Sequence, residues 1–258
     1  MKSAAPVRLA CDQASAIVDP AAGLIVSSFS IGSKQILFPD GIIDSNGKKK
    51  RRGGIPILFP QAGALKESMP NFNLAQHGFA RDLPWEIVRV AENSRQATFR
   101  LRNDGGTRAQ FPFDFEVRVK IDLEPAALSY QLAVYNPSSE PLWCAPGLHP
   151  YFAIPPRRRM ELQTNVMGFQ IDTYRMDDSL ILMPQRVDLD IPEIGRVSMI
   201  PSGEFLRPAS RLVVWADIPD YMCFEPWSAG VGSLFRAGER LEVPPSKEVK
   251  MAMRIEVG

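Results

Sequence analysis

The chain has 258 residues, 45% hydrophobic and 23% charged, the proportions of a globular protein with a sizeable core and not of a disordered one. Lysine and arginine number 30 against 29 aspartates and glutamates, so no global field draws nucleic acid or an anionic membrane, and any partner is recognised locally. Cys11, Cys144 and Cys223 are odd in number and far apart, with no Cys-x-x-Cys spacing for metal or redox work, and read as reduced thiols of a cytoplasmic protein.

Pro6 and Arg8 fall where a signal peptide needs an unbroken apolar stretch. No run approaches the ~18 apolar residues of a membrane-spanning helix, so a soluble, unexported protein is expected. Ile25, Phe29 and Ile31 share one parity and Ser28 and Ser30 the other; with Gly32-Ser33 as a turn into Gln35–Phe38, this predicts an N-terminal hairpin. The basic run Lys48–Arg52 is of a kind found in nucleic-acid patches, but in a charge-balanced chain it reads as a solvated loop. Arg52-Gly-Gly-Ile-Pro-Ile-Leu-Phe-Pro60 reads as an irregular segment packed under a site. It carries neither a Gly-x-Gly-x-x-Gly nor a Walker pattern.

His77, one of two histidines, follows in Gln76-His-Gly-Phe-Ala-Arg81. Beyond it the strand signal strengthens. Ala97, Phe99 and Leu101 alternate with polar neighbours, and Asn103-Asp-Gly-Gly106 predicts a turn. Alternation from Phe113 to Leu123 and from Leu128 to Val134 predicts two strands with one apolar and one wet face, as in antiparallel sheet. Pro155–Arg159 reads as a loop, and residues 160–210 carry no firm pattern. Leu212–Ala216, Tyr221–Phe224 and Val249–Val257 read as further strands. With no long amphipathic helix and no repeat, the expected fold is all-β: one domain, residues 1–258, of two packed antiparallel sheets in a large β-sandwich with few short helices.

Two side chains stand out chemically. His149 lies in Ala145-Pro-Gly-Leu-His-Pro-Tyr-Phe-Ala-Ile154, with Pro146 and Gly147 before it and Pro150 after it. Imidazole exchanges protons near neutrality, although a packed core histidine has the same neighbours. Glu225, in Tyr221-Met-Cys-Phe-Glu-Pro-Trp227, is either a solvent-facing edge-strand glutamate or a general base at a strand end, since Pro226 is expected to stop ladder pairing. Trp227 beside it offers a platform for the apolar face of a sugar.

Gly53-Gly-Ile-Pro56, His77-Gly-Phe-Ala-Arg81, Gly147-Leu-His-Pro-Tyr-Phe152 and Phe224-Glu-Pro-Trp227, in this order and at these separations, resemble the aldose 1-epimerase (galactose mutarotase-like) superfamily, which includes the hexose-6-phosphate mutarotases. The resemblance covers most of the chain. It implies a large β-sandwich with the sugar on an open face and His149 as general acid, with Glu225 as general base. It also implies that His77, Arg52, Arg81 and Asp172 contact the substrate. No cofactor or metal is implied. The expected partner is a small-molecule sugar or sugar phosphate, with no nucleic acid and no membrane, and the expected state is a monomer or weak dimer. Three rival readings are a His77, His149 and Glu225 metal triad, a non-catalytic sugar-binding domain, and a glycosidase with paired carboxylates. The first lacks ligand spacing, the second is at odds with the presence of both His149 and Glu225, and the third lacks a second acid in a comparable motif.

Overall fold

The computed structural model describes residues 4–45, 47–67, 69–167 and 176–258. Its largest sheet has eight strands in the order Gln163–Thr164, Val187–Ile191, Gly195–Gly203, Glu248–Val257, Ala127–Tyr135, Glu116–Glu124, Gln96–Arg102 and Glu86–Val90. All of its pairings are antiparallel. The alternation in the sequence sets the register, because a one-residue slip would turn every apolar side chain outward. Val117, Val119, Ile121 and Leu123 meet Val134, Leu132, Tyr130 and Leu128 across the central pair, and all are buried.

A second antiparallel sheet orders Met176–Leu182, Arg211–Ala216, Tyr221–Trp227, Gly147–Leu148 and Ile57–Leu58, with Tyr151–Ala153 also pairing Tyr221–Trp227. A four-stranded sheet, Val7–Cys11, Ala14–Asp19, Ile25–Ile31 and Lys34–Gln35, completes the cover of the core. Side chains of all three sheets join one continuous apolar cluster. Phe152 and Phe224 interlock within it at a centroid separation of 6.2 Å, and both are fully buried. Truncating either to alanine costs about 3–5 kcal/mol.

The structure departs from the sequence reading at several elements, each for a physical reason. Lys48–Arg52 is not a loop but a strand paired with Gly41–Ser45. Arg51 is fixed by a two-pronged bond to Asp40 and Arg52 by one to Asp217, so the charges that suggested solvation are partly consumed inside. Residues 103–106 do not make a simple turn. Asp104 caps the single helical turn Gly105–Arg108, accepting from the Thr107 N–H while Thr107 Oγ1 accepts from the Asp104 N–H. Pro155–Arg159 lies mostly in a 3₁₀ turn, Pro156–Glu161. Phe113 and Phe115 precede the strand that begins at Glu116 and pack with Phe111 in an aromatic cluster.

The most consequential difference is at Pro226. The strand Tyr221–Trp227 runs straight through it, with Leu212 opposite Pro226 and Arg211 opposite Trp227. Ser228, two residues on, donates its N–H to the Pro146 carbonyl, so the proline nitrogen faces that same flank. There the neighbouring chain leaves the ladder between Gly147–Leu148 and Tyr151–Ala153, and no donor is missed.

Candidate active site

The site is built on the face of the second sheet that points away from the core. Along Tyr221–Trp227, Met222 and Phe224 enter the main apolar cluster, while Tyr221, Cys223, Glu225 and Trp227 project from the opposite face. The neighbouring strand divides in the same way, with Leu212 and Val214 inward and Val213 and Trp215 outward. Glu225 is therefore neither on an edge strand nor at a strand end. It sits inside a central strand and is 2% exposed.

His149 reaches Glu225 from the adjacent segment, Nε2 to Oε1 3.3 Å. The other carboxylate oxygen accepts from the Trp227 indole N–H at 3.1 Å. The histidine ring is held by stacking: it lies parallel on Tyr151 at 4.6 Å and edge-on to Trp215 and His77, each at 5.7 Å. Its backbone N–H donates to the Pro56 carbonyl, which ties the Gly-Leu-His segment to the Gly-Gly-Ile-Pro segment. Its Nδ1 is buried and has no hydrogen-bond partner among the described residues. Burial, with the nearby His77, Arg81 and Arg52, pushes the imidazole well below its usual pKa, so the resting ring is neutral.

Glycine at position 147 is a steric requirement. A Cβ there would stand 2.8 Å from the Trp227 ring and 3.1 Å from the Ala62 methyl. The close approach of this strand to the indole is what lets Trp227 reach Glu225.

His77 is clamped to Gly63 by two reciprocal bonds. Its N–H donates to the Gly63 carbonyl at 2.8 Å, and the Gly63 N–H donates to its Nδ1 at 3.0 Å. An Nδ1 that accepts carries no proton, so neutral His77 holds its proton on Nε2. The clamp requires a left-handed backbone at His77, φ 69°, a conformation that is uncommon for a residue with a side chain. Burial, with Arg81 and Arg52 adding to it, lowers the His77 pKa to about 3. His77 is thus a neutral donor rather than a titrating base, its Nε2 facing the Gln76 side-chain amide at 3.3 Å.

The two arginines differ. Arg52 is bound by Asp217 at 2.8 Å and lies over the Trp215 ring, 5.0 Å from its centroid. Burial opposes its charge, but the Asp217 bond outweighs this and keeps it protonated. Asp217 is itself a hub that accepts from Arg52, the Tyr221 hydroxyl and the Ser45 hydroxyl. These bonds overcome its burial and lower its pKa to about 2. Arg81, half-exposed, makes no ion pair among the described residues; its guanidinium donates a 3.4 Å bond to the Gln76 carbonyl.

These groups line a cleft of 340 Å³ that contains Arg52, Gln76, His77, Arg81, His149 and Glu225, with Tyr151, Trp215 and Trp227 as walls and exposed Lys66 at its margin. A second cleft of 300 Å³ shares Arg52, Arg81 and Tyr151 and adds Lys50 and Arg51. A larger concavity of 520 Å³ lies on the eight-stranded sheet, but its Arg118, Lys120 and Lys250 are paired with neighbouring acids and it has no histidine. Five of the six residues expected from the sequence thus meet in one cleft; the sixth, Asp172, lies outside the described residues. The rival His77, His149 and Glu225 metal triad is not assembled as such, since His77 Nδ1 is committed to Gly63. Sequence reasoning missed Asp217, Ser45, Trp215 and Gln76. No local pattern links Asp217 to an arginine 165 positions away.

The fold and this open-faced cleft define a galactose mutarotase-like sandwich. The chain superposes on the Slr1438 protein of Synechocystis sp. PCC 6803 with TM-score 0.85 and 24% identity, covering 98% of this chain and 96% of that one. It superposes on a galactose mutarotase related enzyme of Lactobacillus acidophilus with TM-score 0.78 and 18% identity, covering 98% and 97%. The sequence model of the aldose 1-epimerase family matches residues 47–182, and the chain belongs to that family. It is also 33% identical over 88 residues to a Salmonella typhimurium protein provisionally named a glucose-6-phosphate 1-epimerase, a match spanning 33% of this chain and 28% of that protein. Among the described residues no helix is long and apolar enough to cross a membrane.

Proposed function

We propose that the protein interconverts the α and β anomers of a hexose bearing a phosphate, by acid–base opening and reclosure of the sugar ring. The observation that carries the chemistry is the buried contact between His149 and Glu225, 3.3 Å long and open to the cleft. The hydroxyl oxygen on C1 and the ring oxygen share one carbon, so an adjacent acid and base reach both. Glu225 takes the C1 hydroxyl proton while His149 gives a proton to the ring oxygen. The C1–O bond of the ring breaks and the aldehyde forms. Rotation about C1–C2 and reversal of both transfers close the ring on the other face. His77 Nε2–H donates to a sugar oxygen throughout, and the indoles of Trp215 and Trp227 face the sugar's C–H surface. Each positioned acid or base contributes typically ~10²–10⁴-fold.

One proton moved along the 3.3 Å contact turns carboxylate and imidazolium into carboxylic acid and imidazole. These are the states of the pair before and after ring opening. The resting cleft favours neutral imidazole, through burial and the field of His77, Arg81 and Arg52. A phosphate on Arg81 and Arg52 offsets the arginine part of that field and restores the acid when the substrate arrives. Arg81, unpaired with any carboxylate among the described residues, favours the phosphorylated substrate, and the provisional name of the Salmonella relative points the same way.

The test is a comparison of anomerisation rates for glucose, galactose and glucose 6-phosphate by polarimetry or exchange NMR. The phosphate is expected to give the highest kcat/KM. Equal values for glucose and its phosphate remove the phosphate from the proposal. Sugar binding with no acceleration for any of the three would establish a non-catalytic sugar-binding protein instead.

A further inference from the structure

Cys223 has no part in the reaction described above, yet it belongs to the same buried group as the acid and base. A ring nitrogen of His149, the Cys223 sulfur and a Glu225 carboxylate oxygen lie within 4.8 Å of one another, and all three residues are buried. Strand geometry makes this so. Cys223 and Glu225 are two residues apart on one face of Tyr221–Trp227, and Cys223 lies opposite Tyr151, the ring on which His149 stacks. Nitrogen, thiolate and carboxylate together are a donor set for zinc-like ions rather than for magnesium or calcium, which prefer all-oxygen sites.

We infer that His149, Cys223 and Glu225 form a binding site for a thiophilic divalent cation, Zn²⁺ or its probe Cd²⁺, and that the occupied site is an inhibited state of the enzyme. Tetrahedral zinc with bonds of about 2.0–2.3 Å holds its ligand atoms roughly 3.5 Å apart. His149 and Glu225 already stand at about that spacing, 3.3 Å, and the widest separation in the group, 4.8 Å, has to close by roughly 1.3 Å to reach it. Trp227 already holds one Glu225 oxygen, so Oε1, now facing His149, is the oxygen offered to the metal. The thiol proton passes to solvent on binding, and the fourth position opens toward the cleft lined by His149 and Glu225. The ion takes both groups that ring opening uses, so sugar turnover stops while it is bound. The site itself does not depend on the reaction proposed above; only its effect on rate does.

The test uses the full chain in a phosphate-free buffer. Cd²⁺ titration of the parent protein should give a cadmium–thiolate charge-transfer band in the ultraviolet that saturates at one ion per chain. Cys223→Ser should abolish the band. His149→Asn, read by absorption and not by rate, should weaken Cd²⁺ binding at least tenfold. With glucose as substrate, Zn²⁺ should inhibit anomerisation reversibly by chelator while Mg²⁺ has no effect. Cys223→Ser, or Cys223→Ala if the serine variant folds poorly, should keep the parental rate and need at least tenfold more Zn²⁺ for the same inhibition. A parent without the band, a band retained in Cys223→Ser, or Cd²⁺ affinity unchanged in His149→Asn overturns the assignment. Because the band is read without substrate, it survives if the protein proves to bind sugars without turning them over.

Discussion

The sharpest prediction concerns Arg81→Met. This side chain makes no ion pair among the described residues and only a 3.4 Å bond to the Gln76 carbonyl, so its removal disturbs little else. A charge-assisted guanidinium–phosphate contact is worth about 1.5–3 kcal/mol. At about 1.4 kcal/mol per factor of ten, the ratio of kcat/KM for glucose 6-phosphate to that for glucose should fall roughly 10- to 150-fold. A second effect has the opposite sign for the free sugar. The His149 pKa is depressed by burial first, and also by His77, Arg81 and Arg52. Deleting one positive charge raises the proton affinity of the ring, so the acid-competent form persists to higher pH. The glucose rate profile of the variant should therefore lose its alkaline limb at higher pH than the parent does. Both effects are measured by exchange NMR at a series of pH values. An unchanged substrate ratio would refute the reasoning, because Arg81 would then not be meeting the phosphate.

Glu225→Gln and His149→Asn should each lower the anomerisation rate by ~10²–10⁴-fold while circular dichroism reports an intact fold; parental rates in both would end the acid–base account. Gly147→Ala places a Cβ 2.8 Å from the Trp227 ring. It should cost about 1–3 kcal/mol in a urea melt, and it should slow turnover because the displaced indole no longer holds Glu225. Asp217 has a folded pKa of about 2 against an ordinary 3.8. A depressed carboxylate contributes stability above its unfolded pKa and loses it as pH falls through the folded one. Asp217→Asn should therefore cost on the order of 2 kcal/mol near pH 6, and the gap between parent and variant should close between pH 4 and 2. A constant gap across that window would show that the contribution is not electrostatic.

How much of this was legible in the sequence depends on whether a residue's partner is near it along the chain or across a sheet. The alternation in 116–124 and 127–135 encodes its own register, because both strands bury the same parity against one core. His149 and Glu225 were found through their flanking motifs, and the structure explains those flanks. Gly147 makes room for the indole that holds Glu225, and Pro56 anchors the backbone of His149. Pro226 misled the reading because proline forbids only a ladder donor. The structure aims that missing donor at the one stretch where the neighbouring chain has left the sheet. Lys48–Arg52 misled it because local charge says nothing about distant acids such as Asp217. The same rule that hid Asp217 assembled the cleft. The strands Arg211–Ala216 and Tyr221–Trp227 each have an inward parity fixed by the main apolar cluster and an outward parity that this cluster does not constrain. Tyr221, Cys223, Glu225 and Trp227 occupy that outward parity on one strand, next to Val213 and Trp215 on another. Chemistry could be written there without changing the contacts of the main apolar cluster, so the fold was legible from periodicity while the site needed its motifs.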